Sequence, residues 1–247
     1  MRTVLVVYDG LLDDECEAFR SVLGLLDGDR VVTAGAERRP YRGPGGTQHP
    51  DLTFDEVDHA DVVVVPGGIG CERATDDPAL REFLQRMEHR ARYVAASSTG
   101  SVVLASAGLL HGGSAATHWL ASDLLRRYGS DVDARRLVVA GNVITCEGRI
   151  SAVDAAFALV ERIEGDAAVE RIRTTLLARG QPLLVPPAWY DRLAGRFLGR
   201  PTLRRPPRRP AAAAQPEAPP VTPFSVMFEL VDDETLRSLT RAQRRRT

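Results

Sequence analysis

The sequence predicts an α/β protein, a doubly wound and mainly parallel sheet with helices on both faces, over about its first 180 residues. Three observations carry this. Short β-branched runs alternate with stretches of helical periodicity from Thr3 to Ala178. Val62–Val65 is four valines in a row, a continuous apolar run that suits a strand covered on both sides. Glycine-rich turn signals close the strands at Asp9-Gly10 and Pro66-Gly67-Gly68.

Taken in order, Thr3–Tyr8 is the first strand, and Asp13–Leu26 a helix with Phe19, Val22, Leu23 and Leu26 on one face. Val31–Ala34 is a second strand. Residues 37–53, rich in Gly, Pro and Arg, read as an irregular excursion. After Val62–Val65 come a helix over Pro78–Arg90, a strand over Tyr93–Ala96 and a small-residue helix over Thr99–Ala107. A helix follows Thr117-His118-Trp119 to about Tyr128. Leu137–Ala140 and Val143–Thr145 form a hairpin-like pair, and Ser151–Ile163 and Asp166–Ala178 are two further helices.

Beyond Gly180 the pattern lapses. Residues 201–220 hold seven prolines, so 181–247 reads as an Arg- and Pro-rich tail, largely linker. Short helical or strand pieces are expected at 188–198, 224–230 and 234–243. The net charge of -1 hides an asymmetry: the tail carries 12 Arg against 6 acids, and the first 180 residues are correspondingly acidic. All 32 basic residues are arginine, which excludes a Schiff-base lysine and a P-loop lysine. Cys16, Cys71 and Cys146 are too few and too scattered for a disulfide framework or a zinc site. His49, His59, His89, His111 and His118 form no metal-binding spacing. No cofactor or metal is expected. The chain is expected to be cytoplasmic, without a membrane span or a direct nucleic-acid partner.

The sharpest chemical signal is Val94-Ala95-Ala96-Ser97-Ser98-Thr99-Gly100-Ser101. A strand ends and a helix begins within two residues, among small side chains. Such a turn can hold Ser98 in a strained pose at a helix N-terminus, where free N–H groups stabilise an anion. It can equally be an ordinary turn with serine as N-cap. The Pro66-Gly67-Gly68-Ile69-Gly70 loop offers backbone N–H groups that could face Ser98, or only a turn that needs positive φ. Glu15 heads the first helix near the mouth of the first strand. Half-buried there it would exchange protons; solvated like Asp13, Asp14 and Glu17 it would not. His118, beside Trp119, could be a base towards Ser98 or a surface hydrogen-bonding group.

Together these segments resemble the ThiJ/PfpI family, which shares the flavodoxin-like fold of class I glutamine amidotransferases. The resemblance rests on the strand–Asp-Gly–helix opening, on Asp61–Gly70, on Ser97–Trp119 and on Gly141–Glu161. It is nearest to the isonitrile-hydratase and AraC-regulator amino-terminal branch. The resemblance implies an acid at Glu15 paired with the elbow residue Ser98, where the branch has cysteine. It implies an oxyanion hole at Gly68 and Thr99, a histidine at His118, a pocket including Gly67, Ile69 and Trp119, and a homodimer. Ala18-Phe19 also departs from the family's Gly-Pro.

A serine hydroxyl is not ionised at neutral pH, so the thiolate chemistry of relatives does not carry over unchanged. The expected function is a small-molecule hydratase or lyase, in natural-product or detoxification metabolism, with Glu15 moving protons and Ser98 attacking or hydrogen-bonding. The alternatives are an inactive ligand-binding sensor that works through a partner, and a nucleophile relocated to a native cysteine. No paired apolar-periodic helices of a helix-turn-helix reader are expected in the tail.

Overall fold

A computed structural model describes residues 1–179 of the chain. The tail expected at 181–247, with its helical and strand pieces, lies outside the described residues.

The chain opens with β1 (Arg2–Val6), α1 (Asp13–Leu23) and β2 (Arg30–Gly35). The first helix stops three residues short of expectation, at Leu23, with Gly24 as its C-cap. The segment at 37–53 is not irregular. It forms a hairpin of β3 (Tyr41–Gly43) and β4 (Gly46–Gln48), then a two-residue strand, β5 (Leu52–Thr53), that joins the main sheet beside β2. Bonds from outside the segment hold the hairpin. Asp13 accepts from the Gly45 N–H and from Gln48 Nε2, and Asp9 accepts from the Arg42 N–H.

Next come β6 (Val62–Val65), α2 (Cys71–Asp76), α3 (Pro78–Glu88), β7 (Tyr93–Ser97) and α4 (Gly100–Ser106). Helix α2 escaped the sequence reading because six residues are too few to show a period. Its separation from α3 is local chemistry: Asp77 caps α3 by accepting from the Ala79 and Leu80 N–H groups, and Pro78 occupies the first helical position. The remainder is β8 (Ser114–Ala115), α5 (Ser122–Arg127), β9 (Asp131–Val132), β10 (Leu137–Ala140), β11 (Val143–Cys146), α6 (Arg149–Glu164) and α7 (Asp166–Ala178). Strands β8 and β9 pair as a small separate sheet.

The main sheet runs β10-β11-β7-β6-β1-β2-β5, parallel throughout except for the β10–β11 hairpin at its edge. Helices α1, α6 and α7 pack together on one face, and α2, α3 and α4 on the other. The four valines of β6 are wholly buried between these layers, as a parallel strand covered on both faces requires. Register places the functional turn. Val65 lies level with Ala96 and Cys146 with Ser97, so Ser98 emerges between the loop after β6 and the loop after β11. That is the carboxyl edge of the central strands, where folds of this kind bind ligands. No helix among the described residues is long and apolar enough to cross a membrane.

Candidate active site

Ser98 is the only non-glycine residue among those described with a positive φ, at 53°. Holding a non-glycine residue there costs about 1–3 kcal/mol, and surrounding bonds impose it. The Ser98 N–H donates to the Cys146 carbonyl at 2.8 Å, and its own carbonyl accepts from Thr117 Oγ1 at 3.0 Å. Gly100 closes the turn, since a Cβ there would overlap the Val65 carbonyl oxygen. Ser98 is not the N-cap of α4. Thr99 holds that position, and its side chain caps nothing.

Glu15 turns inward. Its neighbours are occupied elsewhere: Asp13 holds the hairpin, Asp14 pairs with Arg149 and Glu17 with Arg20. Glu15 itself is 1% exposed, and its Oε2 accepts from Ser97 Oγ at 2.6 Å and from the Gly67 N–H at 2.7 Å. Burial raises its pKa above the ordinary glutamate value. The Ser97 and Gly67 hydrogen bonds oppose that rise, the Asp14 charge adds to it, and the Ser98 hydroxyl lowers it least. The carboxyl therefore lies beside the elbow, but its firm partners are Ser97 and Gly67. The sequence pattern does not single out Ser97 as a site residue. The signal for it was a hydroxyl residue closing an otherwise apolar buried strand.

The glycine loop is built by close approach. Gly10, with φ of 85°, faces Gly70 so tightly that a Cβ on Gly10 would stand 2.8 Å from the Gly70 Cα and 3.1 Å from Ile69 Cγ1. Gly67 packs on the elbow, where a Cβ would lie 2.6 Å from that of Ser98. One half of the expected oxyanion hole is occupied within the protein itself. The Gly68 N–H donates to Thr99 Oγ1 at 2.8 Å, and that hydroxyl donates back to the Gly68 carbonyl at 3.0 Å. The Gly67 N–H is likewise taken by Glu15. Among the described residues, only the Thr99 backbone N–H of the expected pair is left without a protein acceptor.

His118 has no hydrogen bond to Ser98. Its Nδ1 accepts from the Leu120 N–H at 3.3 Å, capping the short turn Trp119–Ala121. Burial lowers its pKa, and the Glu147 charge partly offsets this. Its ring sits 5.8 Å from that of Trp119, and both line a cavity of about 460 Å3 with Asp133, Arg135, Glu147 and Ile150. Thr117 lines that cavity too and joins it to the elbow through its bond to Ser98. No group of three or more His, Cys, Asp or Glu among the described residues is gathered to hold a metal ion.

Residues 1–162 match the model of the DJ-1/PfpI family. The chain belongs to the DJ-1/PfpI family. Within it, the chain is 35% identical over 145 residues to an isonitrile hydratase of Pseudomonas putida, covering 58% of this chain and 64% of the hydratase. It therefore spans slightly less than two thirds of that relative. The DJ-1beta of Drosophila melanogaster superposes with a TM-score of 0.65 at 25% identity, covering 71% of this chain and 97% of that one. A ThiJ/PfpI family protein from Pseudomonas syringae shares the fold with a TM-score of 0.69 at 24% identity, covering 79% and 86%.

In this DJ-1/PfpI chain no native cysteine is a ready nucleophile. Cys16, Cys71 and Cys146 are all buried. Burial pushes the Cys16 thiol up to about 12 and the Cys71 thiol to about 11, and raises Cys146 as well. The relocated-nucleophile reading loses its footing: these side chains act as small buried hydrophobes.

Proposed function

We propose that the domain is a small-molecule hydratase of the isonitrile-hydratase type, with Ser98 at the place of the family's elbow cysteine. The observation that supports this most is the buried Glu15 carboxyl, its pKa raised, set beside a strained elbow at the start of α4. A carboxyl raised by burial keeps its proton to higher pH than a free glutamate and can give it up to a basic carbon.

For an isonitrile, R–N≡C, Glu15 transfers its proton to the terminal carbon. Water then adds its oxygen to that carbon and loses a proton to the Glu15 carboxylate. The resulting imidic acid, R–N=CH–OH, tautomerises to the formamide, R–NH–CHO. The balance is one isonitrile and one water to one formamide, with Glu15 restored. Both bonds to the Glu15 carboxyl from Ser97 and Gly67 fall on Oε2, which leaves Oε1 for the exchange. Ser98, un-ionised, serves as a hydrogen-bonding group that orients water or substrate, and the Thr99 N–H faces developing charge.

One observation favours a second reading, a ligand-binding domain without turnover. The Gly68 N–H is already satisfied by Thr99, so half of the expected oxyanion hole is closed. A single experiment separates the two. The full chain is incubated with an alkyl isonitrile, and with an α-oxoaldehyde as comparison, and followed by NMR. Formamide that disappears in Glu15→Gln supports the hydratase. Saturable binding with no conversion supports the binding domain, and neither result from a folded protein overturns both.

A further inference from the structure

The acid and the elbow are themselves nearly closed to solvent, at 1% exposure for Glu15 and 4% for Ser98. The body of any substrate must lie outside them. Next to them lies the cavity of about 460 Å3, within the range of about 300–1,000 Å3 common to small-molecule sites.

Three connections tie this cavity to the site. Thr117, in its wall, donates to the Ser98 carbonyl. Glu147, also in its wall, follows Cys146, whose carbonyl holds the Ser98 N–H. Arg149, at its rim, pairs with Asp14, the neighbour of Glu15.

The lining has a distinct character. Only three large apolar side chains are strongly exposed among the described residues, and two of them, Trp119 at 75% and Ile150 at 48%, face this one cavity. An exposed indole and an exposed isoleucine at one recess offer a flat apolar partner a place to leave water. The His118 ring, fixed by its Leu120 bond, is tilted 32° to the indole and continues that wall. The charges of the lining are matched. Asp133 clamps Arg135 through Nε and Nη2, Arg149 pairs with Asp14, and Glu147 pairs with Arg136. Each arginine of the lining, Arg135 and Arg149, already faces a carboxylate.

We infer that this cavity is the subsite for the body of the substrate, and that it selects a neutral molecule bearing a flat apolar group over a small or an ionic one. The inference rests on the small-molecule reading of the Ser98 site.

The test is an equilibrium one that needs no turnover. The full chain is titrated, by calorimetry or ligand-observed NMR, with three inert formamides: formamide, N-benzylformamide and its para-carboxylate. Burying one aromatic ring corresponds to about tenfold or more in affinity, so the benzyl compound should bind at least about tenfold tighter than formamide. It should also bind about tenfold tighter than the carboxylate. Trp119→Ala and Ile150→Ser, both on exposed side chains and checked for fold by circular dichroism, should each erase most of that preference. Equal affinity for benzyl and parent compounds, or tighter binding of the carboxylate, overturns the inference. So does a Trp119→Ala variant that changes oligomeric state in light scattering while its affinities stay as they were. If isonitriles are not converted but the benzyl preference holds, the hydratase reading fails and the subsite stands. If conversion proceeds alike with and without Trp119 for aryl and methyl isonitriles, the subsite fails and the hydratase stands.

Discussion

Ser97 Oγ donates to Glu15 Oε2 at 2.6 Å, so the acid of the site is held by the residue before the elbow rather than by the elbow itself. That bond lowers the Glu15 pKa against the rise that burial imposes. Ser97→Ala should therefore let the pKa climb further. Where turnover requires protonated Glu15, activity falls as pH rises through that pKa, and the fall should move to higher pH in Ser97→Ala. Ser97→Thr, which keeps a hydroxyl, should restore it. A uniform loss of rate with an unmoved pH limb would show that Ser97 only packs.

Glu15 should also leave a mark on stability. Its folded pKa lies above the ordinary 4.5, so over the window from 4.5 up to that folded value the native state holds a proton that the unfolded chain has released. Its contribution is fully present below 4.5 and is lost as pH rises through the folded pKa. Glu15→Gln keeps an acceptor for Ser97 and Gly67 without a charge. Its thermal midpoint should gain on the wild type as pH rises across the window, and then run parallel. Glu15→Ala leaves two buried donors unpaired, each at about 1–3 kcal/mol, and should cost several kcal/mol. Parallel pH curves for wild type and Glu15→Gln throughout would contradict the raised pKa.

A thiol at the elbow should behave unlike the native ones. Ser98→Cys places sulfur at the start of α4, where the unpaired Thr99 N–H stabilises a thiolate. Mass spectrometry after brief iodoacetamide treatment of the folded variant should find residue 98 alkylated, and Cys16, Cys71 and Cys146 untouched. Equal, slow labelling of all four would mean that the elbow does not activate its occupant.

The strain at Ser98 can be measured directly. Glycine tolerates a φ of 53° and alanine does not, while both remove the hydroxyl. Ser98→Gly should exceed Ser98→Ala in unfolding free energy by about 1 kcal/mol. Equal stabilities in denaturant titrations would show that the turn relaxes when its side chain changes.

What was legible in the sequence was what local pattern encodes. The valine run of β6 and the strand-to-helix junction at Ser98 declare themselves through neighbouring residues alone. Less was legible wherever a distant residue decides. The hairpin of β3 and β4 is composed of turn-forming residues, and carboxylates at Asp9, after β1, and at Asp13, the first residue of α1, hold it in place. The inward turn of Glu15 depends on how α1 is rotated against the sheet, because four of the five residues from Asp13 to Glu17 are acids and only one points in. The partner of Thr99 was equally hidden: spacing brings Gly68 and Thr99 together but does not reveal that the hydroxyl occupies the N–H. His118 follows the elbow by twenty residues and lines the adjoining recess instead of bonding to Ser98.

The meeting of the loops after β1 and after β6, Gly10 against Gly70 and Leu11 bridged to Gly68, is made of main chain on both sides. Side-chain changes cannot tune such a joint; they can only break it. The walls of the neighbouring recess, by contrast, are side chains such as Trp119, on a short turn, and Ile150, at the start of α6. On the proposed reading, the frame that seats the elbow and the choice of ligand lie on different parts of the molecule. Drift can rewrite the guest while the workshop stays intact, which is how one scaffold comes to host many chemistries.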